Sequence, residues 1–325
     1  MLLLATLCIA SIAFIWIWRG GTHSKDSKAE VAPLPGGTHS ADSRAEVAPL
    51  RGGTHSADWH TVEGKWGNQP GEFGRLRREE GNAEAPMSLA ASVGKLCVLD
   101  QVNERVQCFP GVTSTRLSVR AAQDLKLSRD GTPVVLDRLG DQEVVVMSDP
   151  PLRFPIAKGG TSSGLFLDGR DIYVEHDHET LTRVGSLDGV VTPLTLPGRP
   201  TRDGAALLKA AIVDPLQGRF YVSALERASL AQRFSRELSL PPPLLSLDLL
   251  DSDKQGIVYV AANDGAVVTL ICLNGTTGAT LGTVSLQASD QPDEIFQSFT
   301  VLDEGGVIYG RAAVDGFSTA RADCR

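Results

Sequence analysis

Residues 96–109 have the sequence LCVLDQVNERVQCF, in which two short apolar runs flank a polar turn. Short apolar runs bounded by turn residues are typical of buried β-strands. A hairpin centred between Val102 and Asn103 places Asp100 opposite Arg105 on the neighbouring strand, where the two charges attract. The stretch therefore predicts an antiparallel hairpin whose turn is closed by an ion pair.

Similar pairs of short apolar strands recur from about residue 85 to the end of the sequence. The first strands of the pairs are Ser88–Ala91, Asp124–Leu127, Leu165–Leu167, Ala211–Val213, Leu245–Leu247 and Phe299–Leu302. The second strands are Leu96–Leu99, Val134–Leu136, Ile172–Val174, Phe220–Val222, Ile257–Val260 and Val307–Tyr309. Six copies at intervals of about 35–50 residues match the blade length of a β-propeller. We therefore predict an all-β, six-bladed β-propeller.

The first copy resembles a blade of the NHL-repeat family over residues 66–109. In that family the second strand ends in Asp, the turn carries Asn, and an Arg begins the third strand shortly before an aromatic residue. Asp100, Asn103, Arg105 and Phe109 match this signature. The other copies keep the strand lengths and turns without the signature, so the resemblance implies a propeller fold rather than an activity.

The last copy contains only three evident strands, which leaves one sheet edge open. Residues 61–66 precede the first blade and can supply the missing outer strand. We therefore expect the propeller to span 61–325 and to be closed by its own N-terminal strand.

A membrane segment is predicted at the N-terminus. Residues 2–18 are uncharged and end at Arg19, and at 1.5 Å per residue they span about 25 Å. Trp16 and Trp18 suit an interfacial aromatic belt, and no small-x-small cleavage site follows them. These features favour an uncleaved transmembrane anchor at 1–19, with a signal peptide as the alternative. The flanking basic residues alone would favour a cytoplasmic location for the rest of the protein.

Residues 20–60 form a tandem repeat with a period of 16 residues, each copy beginning GGTHS. The unit is too polar to build a core, so we expect a disordered linker. Its regularly spaced histidines also permit a metal-binding tail, but second ligands are missing at coordinating spacing.

Cysteine positions bear on the compartment. The hairpin register that pairs Asp100 with Arg105 places Cys97 opposite Cys108, within reach of a disulfide. Cys272 and Cys324 are a second possible pair, although free buried cysteines are the alternative in both cases. Disulfides require an oxidising compartment, so we expect a periplasmic or cell-surface propeller.

Two short motifs are candidate metal sites. Residues 175–179 read Glu-His-Asp-His-Glu, in which His176 and His178 can bind zinc. Residues 251–256 place Asp251 and Asp253 at the spacing of short calcium loops. In both cases an ordinary polar turn is the alternative.

Metal-dependent enzymes of the wider propeller group, such as lactonases and lyases, hold their metal around the central channel. The resemblance therefore makes the aspartates at the predicted inner-strand ends channel candidates: Asp168, Asp214, Asp248 and Asp303. Aspartate at a strand end is also a common turn former.

The charge distribution limits the partners. Lys and Arg total 31 against 39 Asp and Glu, a net charge of −8. Five basic and five acidic residues cancel within residues 1–60, so the excess negative charge belongs to the propeller. This argues against nucleic acid. We expect a membrane-anchored, extracytoplasmic module that binds a protein or a surface polymer, without catalysis or cofactor. The alternative is a calcium- or zinc-dependent hydrolase, lactonase or lyase with its site at the channel.

Overall fold

The computed structural model describes residues 61–77, 79, 81–92, 94–156, 162–287, 289 and 293–324. The predicted anchor at 1–19 and the predicted linker at 20–60 lie outside these residues. Within the described part of the protein, no helix has the length and apolar character needed to cross a membrane. The described elements are β-strands and two single-turn 3-10 helices, Gln101–Asn103 and Pro215–Gln217.

Six antiparallel four-stranded sheets form the blades of a β-propeller, which confirms the predicted fold class. Strands β1 (Glu63–Lys65) and β2 (Ala83–Glu84) precede the first blade. Blade one contains β3 (Ser88–Ser92), β4 (Lys95–Asp100), β5 (Arg105–Phe109) and β6 (Thr113–Arg116). Blade two contains β7 (Ala122–Leu127), β8 (Pro133–Asp137), β9 (Glu143–Val146) and β10 (Leu152–Pro155). Blade three contains β11 (Gly164–Asp168), β12 (Asp171–His176), β13 (Thr180–Ser186) and β14 (Thr195–Leu196).

The second half of the ring repeats this plan. Blade four contains β15 (Arg199–Pro200), β16 (Ala206–Asp214), β17 (Arg219–Glu226) and β18 (Gln232–Ser239). Blade five contains β19 (Ser246–Ser252), β20 (Ile257–Asn263), β21 (Val268–Asn274) and β22 (Thr280–Leu286). Blade six contains β24 (Phe299–Val301), β25 (Val307–Ala312) and β26 (Gly316–Ala322), and its fourth strand is β1. Strand β23 (Asp293–Glu294) pairs in parallel with β2 outside the blades.

The ring is closed by the N-terminal strand, as predicted. Strand β1 pairs antiparallel with β26, with Glu63 opposite Ser318 and Lys65 opposite Gly316. The buried Val62 extends this contact, because its amide donates to Thr319 Oγ1 at 2.8 Å and its carbonyl accepts from the Thr319 amide at 2.8 Å. Blade six is therefore built from both ends of the propeller sequence.

Blade four differs from the prediction. The predicted inner strand Ala211–Val213 belongs to β16, the second strand, and Phe220–Val222 belongs to β17, the third. The innermost strand is the two-residue β15, Arg199–Pro200, which pairs with Leu207 and Leu208. A strand this short has no apolar run, so the pattern that revealed the other inner strands is missing here.

Apolar side chains from facing sheets fill the layers between blades. Between blades four and five, for example, Phe220 and Val222 pack in one cluster with Val258 and Val260. Near the closure, Phe73 lies edge-on to Phe317 with ring centroids 5.0 Å apart. These layers form because alternate residues of a strand face opposite sides of its sheet.

The blade-one hairpin has the predicted register and the predicted ion pair. Asp100 lies opposite Arg105, and Arg105 Nε donates to Asp100 Oδ2 at 2.9 Å. Asn103 donates to the same carboxylate and to the Gly67 carbonyl, both at 2.8 Å. Arg105 also donates to the Glu72 carbonyl at 2.8 Å. The signature residues therefore clamp the incoming segment to blade one.

Both possible disulfides are present. Cys97 and Cys108 join β4 to β5 with Cα atoms 4.0 Å apart. Cys272 in β21 joins Cys324, just beyond β26, with Cα atoms 6.1 Å apart. Two disulfides indicate a location outside the cytoplasm.

Candidate functional site

The candidate site lies at one end of the central channel. Because the strands of each blade are antiparallel, the turns between first and second strands all lie at the same end, which we call the channel mouth. It includes the turns Ser128–Thr132, Thr201–Ala205, Asp253–Ile257 and Leu302–Gly306, and it opens into a cavity of about 510 Å³. The charged lining of the cavity comes from five blades: Lys126, Arg129, Asp168, Arg199, Arg202, Asp251, Lys254 and Asp303.

A buried ion pair joins blades three and four beside this cavity. The Arg199 guanidinium contacts Glu175 through two atoms, with Nε 3.1 Å from Oε1 and Nη2 against Oε2. Arg199 also lies over the Phe166 ring, 5.1 Å from its centroid. Burial raises the pKa of Glu175, but the neighbouring Arg199 and His178 outweigh it and lower the pKa to about 2. Glu175 is therefore held as a carboxylate, and its partner Arg199 lines the cavity.

His178 extends this pair toward blade five. Its Nδ1 lies 3.3 Å from Glu175 Oε2, and its Nε2 lies 2.9 Å from the Leu247 carbonyl oxygen. A neutral imidazole carries a single N–H, so two acceptors facing its two nitrogens favour the protonated form. Burial lowers the pKa of His178, but the Glu175 carboxylate outweighs it, and the net effect is a raised pKa.

A second group of charges surrounds the rim of the cavity. Arg202 lies 2.6 Å from Asp303 and 3.3 Å from Asp251, and Lys254 lies 2.5 Å from the other Asp303 oxygen. Burial raises the pKa of Asp303, but Lys254 and Arg202 together produce a net lowering. Ion pairs thus connect blades four, five and six, through charged side chains of their turns and of the end of β19.

The predicted channel aspartates separate into two groups. Asp168 and Asp303 line the channel mouth, where Asp168 pairs with Arg227 at 2.6 Å. Asp214 lies at the end of a second strand, where its carboxylate caps the next turn by accepting the amides of residues 216 and 217 at 3.0 and 3.1 Å. Asp248 accepts from Ser246 Oγ at 2.6 Å near the start of β19, and burial raises its pKa.

The candidate metal ligands have other contacts. His178 faces Glu175 as described, whereas His176 ends β12 opposite Thr180. Asp253 Oδ1 accepts two backbone amides of its own turn, and Tyr259 donates to its Oδ2 at 3.0 Å. The Asp251 carboxylate faces Arg202. Across the described residues, no three or more His, Cys, Asp or Glu side chains form a group that could hold a metal ion. Calcium or zinc binding stays the alternative that the sequence leaves open.

Sequence reasoning missed the arginines of the site, Arg199 and Arg202. A signal for the second was present, because residues 128–131 and 201–204 share the pattern Ser/Thr-Arg-Asp-Gly. Asp-Gly is typical of a turn, and in both places an arginine directly precedes it. Arg199 has no such signal, since its strand is too short to recognise.

The comparisons with known proteins concern the fold. No protein-family model matches this sequence, and no curated protein matches it either. Among solved structures, hydrazine synthase of Kuenenia stuttgartiensis is similar over 69% of this chain and 73% of its own, with a TM-score of 0.47 and 14% identity. A streptogramin B lyase is similar over 76% of this chain and 97% of its own, with a TM-score of 0.43 and 11% identity. BamB from Moraxella catarrhalis is similar over 82% and 89%, with a TM-score of 0.36 and 11% identity. The protein is a six-bladed β-propeller, without an assigned family.

Proposed function

We propose that this protein is a non-catalytic binding module, held outside the cytoplasm, that recognises a protein partner at its channel mouth. The observation that carries the proposal is the cavity of about 510 Å³ with a charged lining drawn from five blades. A concave site with a few convergent polar groups on a rigid frame is suited to recognition.

The pairing of the lining carboxylates favours recognition over catalysis. Asp168 pairs with Arg227, and Asp303 pairs with Arg202 and Lys254. A cation beside a carboxylate stabilises its charged form, which weakens it as a proton acceptor and competes with any metal ion. The same pairs offer charges of both signs to the side chains of a partner.

The exposed surface favours a protein over a sugar polymer. Aromatic rings stack on the faces of sugar rings, but in the described part of the protein the exposed large apolar residues are aliphatic, among them Leu139, Val190 and Leu216. The lining of the channel mouth carries charges of both signs, which suits the charged side chains of a protein partner.

Three features together support the proposed location. The two disulfides support an oxidising compartment. The predicted anchor within residues 2–18 would tether the protein to the membrane, and the polar repeat at 20–60 would act as a spacer.

Blade one is similar to NHL repeats, and the remaining blades have the same four-stranded plan.

Site-specific photo-crosslinking in intact cells tests the proposal. A photoreactive residue at Ser92, which lines the cavity, should give one discrete cross-linked protein that excess unlabelled propeller competes away. The matched position is Leu139, which is 67% exposed in the turn between β8 and β9 at the other end of the channel. It should not give that product. Equal products from both positions, or none from Ser92, would contradict the proposal.

Metal analysis tests the enzymatic alternative. We expect the purified full-length protein to contain no stoichiometric calcium or zinc and to melt at the same temperature with and without chelator. A bound ion whose removal lowers the melting temperature would instead favour a metal-dependent hydrolase or lyase.

A further inference from the structure

The turns of the channel mouth repeat one local structure. In Ser128–Thr132 and Thr201–Ala205 the hydroxyl of the first residue donates to the aspartate at the third position. The amide of the fifth residue donates to the same aspartate, at 3.1 Å for Asp130 and 3.0 Å for Asp203. The second residue of each turn is an arginine, and nothing in the turn itself occupies its guanidinium.

Blades five and six have the same turn backbone. In Ser128–Thr132, Asp253–Ile257 and Leu302–Gly306, the first amide donates to the fifth carbonyl and the fourth amide donates to the first carbonyl. In the Thr201 turn the fourth amide also donates to the first carbonyl, but the first amide donates to Ala206, one residue later. The second positions therefore correspond in four blades: Arg129, Arg202, Lys254 and Asp303.

Three of these four side chains neutralise one another. Arg202 and Lys254 both contact Asp303, at 2.6 and 2.5 Å. Arg129 is exposed and has no ion-pair partner among the residues that the structure describes. Arg202 thus has Asp303 as its counter-charge, whereas no carboxylate of the described residues pairs with Arg129.

Arg129 also lies between two cavities. It lines the 510 Å³ channel mouth and a second cavity of about 260 Å³ between blades two and three. The other charged side chains of the second cavity are engaged, Arg170 with Asp188 and Asp130 within its own turn. A ligand that extends from one cavity into the other therefore passes Arg129.

We infer that Arg129 binds a carboxylate of the partner, supplied by an extended peptide segment that lies across both cavities. This inference rests on the proposed function and names the chemistry that the site selects. A guanidinium presents paired donors that match a carboxylate, and the two-atom contact between Arg199 and Glu175 is the internal example of that pairing. The carboxylate belongs either to an Asp or Glu side chain or to the C-terminus of the partner polypeptide.

Selection from random heptapeptide libraries tests the inference with the full-length protein in detergent. One library ends in a free C-terminus and the other continues into a constant neutral sequence, so the two sources of carboxylate are distinguished. We expect wild-type protein to enrich Asp or Glu at one fixed position, or to enrich peptides only in the free-terminus library. Arg129→Gln should lose that preference and bind the best peptide about tenfold more weakly, equivalent to about 1.4 kcal/mol.

Charge reversal gives a sharper result. Arg129→Glu should enrich Lys or Arg at the position where wild-type protein enriches an acidic residue, or should reject the free-terminus library. The matched control is Arg120→Gln, an exposed arginine just before β7 at the other end of the channel, which should leave the preference unchanged. All variants should melt with wild type, because both arginines are exposed.

The outcomes separate this inference from the proposed function. An acidic preference that persists in Arg129→Gln overturns the role of Arg129 and leaves peptide binding at the channel mouth in place. If wild-type protein enriches no peptide from either library, or enriches peptides without a carboxylate preference, this inference is overturned. The proposed function then stands or falls separately, on the cross-linked product at Ser92.

Discussion

Two buried arginine–carboxylate pairs hold different parts of this propeller together. In blade one, Asp100 pairs with Arg105 across a hairpin, and the remaining Arg105 donors reach the carbonyls of Asn68, Gln69 and Glu72. Between blades three and four, Glu175 pairs with Arg199 beside the channel mouth.

The two arginines differ in what surrounds them. Arg105 is enclosed by backbone carbonyls, so its guanidinium donates to groups within the fold. Arg199 lies over Phe166, lines the cavity and has Asp251 at 4.0 Å. The same chemistry therefore serves as a structural clamp in blade one and as part of the lining of the candidate site in the channel.

Breaking the pair between the blades should have the largest effect on stability. Glu175→Leu leaves Arg199 buried without its main counter-charge, which destabilises a protein by about 3–5 kcal/mol. The double variant Glu175→Leu/Arg199→Leu removes both charges and should be clearly less destabilised than the single variant. Urea unfolding of the full-length protein measures both. A double variant as unstable as the sum of the two single variants would show that the charges act independently.

The disulfides extend the comparison from non-covalent to covalent links. Cys97–Cys108 closes a loop with a sequence separation of 11, and Cys272–Cys324 one of 52. The loop-entropy model gives about 3 kcal/mol for the shorter loop and about 4 kcal/mol for the longer one. Paired Cys→Ala variants at each bond, compared by urea unfolding, should therefore rank the link between blades five and six as the more stabilising. The reverse order would mean that native-state contacts outweigh loop length.

The blade-one clamp should respond more weakly to a single deletion. Asn103→Ala removes the hydrogen bonds to Asp100 and to the Gly67 carbonyl, and each is worth about 1 kcal/mol. We expect a loss of about 1–2 kcal/mol in the free energy of unfolding, together with faster amide exchange at Gly74, whose amide donates to Asp100. Asn68→Ala is the control, because the Asn68 side chain is exposed and, among the described residues, its one hydrogen bond is to Gln69. Equal losses for the two variants would refute the clamp.

The contrast between the blade-one pair and the channel pair also explains which features could be predicted from the sequence. The clamp involves residues five positions apart in one hairpin, so strand register alone pairs Asp100 with Arg105 and Cys97 with Cys108. Strand counting likewise predicted the closure by β1, because an open sheet edge needs a partner. These features depend on local order along the sequence.

The channel mouth depends on long-range order instead. Glu175 and Arg199 are 24 residues apart, and Arg202 and Asp303 are 101 residues apart. These side chains meet because whole blades are placed around the ring. The period of the sequence does not show which side chains of different blades come into contact. The inner strand Arg199–Pro200 is also too short to be detected, and this error placed Asp214 at the channel. Local sequence patterns therefore predicted the blades that surround the site, whereas the ion pairs of the site are seen only in the structure.

The smallest expected effect is a pH dependence confined to the channel pair. His178 has a raised pKa in the folded protein, so its stabilising contribution is complete below the ordinary value of 6.5 and is lost as pH rises through the folded value. The charged groups facing it are Glu175, Arg199 and Asp248. Because the pKa of Glu175 is lowered to about 2, its own contribution is lost only as pH falls from 4.5 toward about 2. Stability from this cluster should therefore be greatest between about pH 4.5 and 6.5 and decline above it.

The measurement is amide exchange at Ala210, whose amide donates to the His178 carbonyl at 3.2 Å, compared with Gly74 in the blade-one clamp. After correction for intrinsic exchange rates, protection at Ala210 should fall above pH 6.5, whereas protection at Gly74 should not, because the described clamp contains no histidine. His178→Gln should abolish the decline at Ala210, and His176→Gln is the matched control that should preserve it. Parallel declines at both amides would mean that the pH response belongs to the whole propeller, and the distinction between the two pairs would fail.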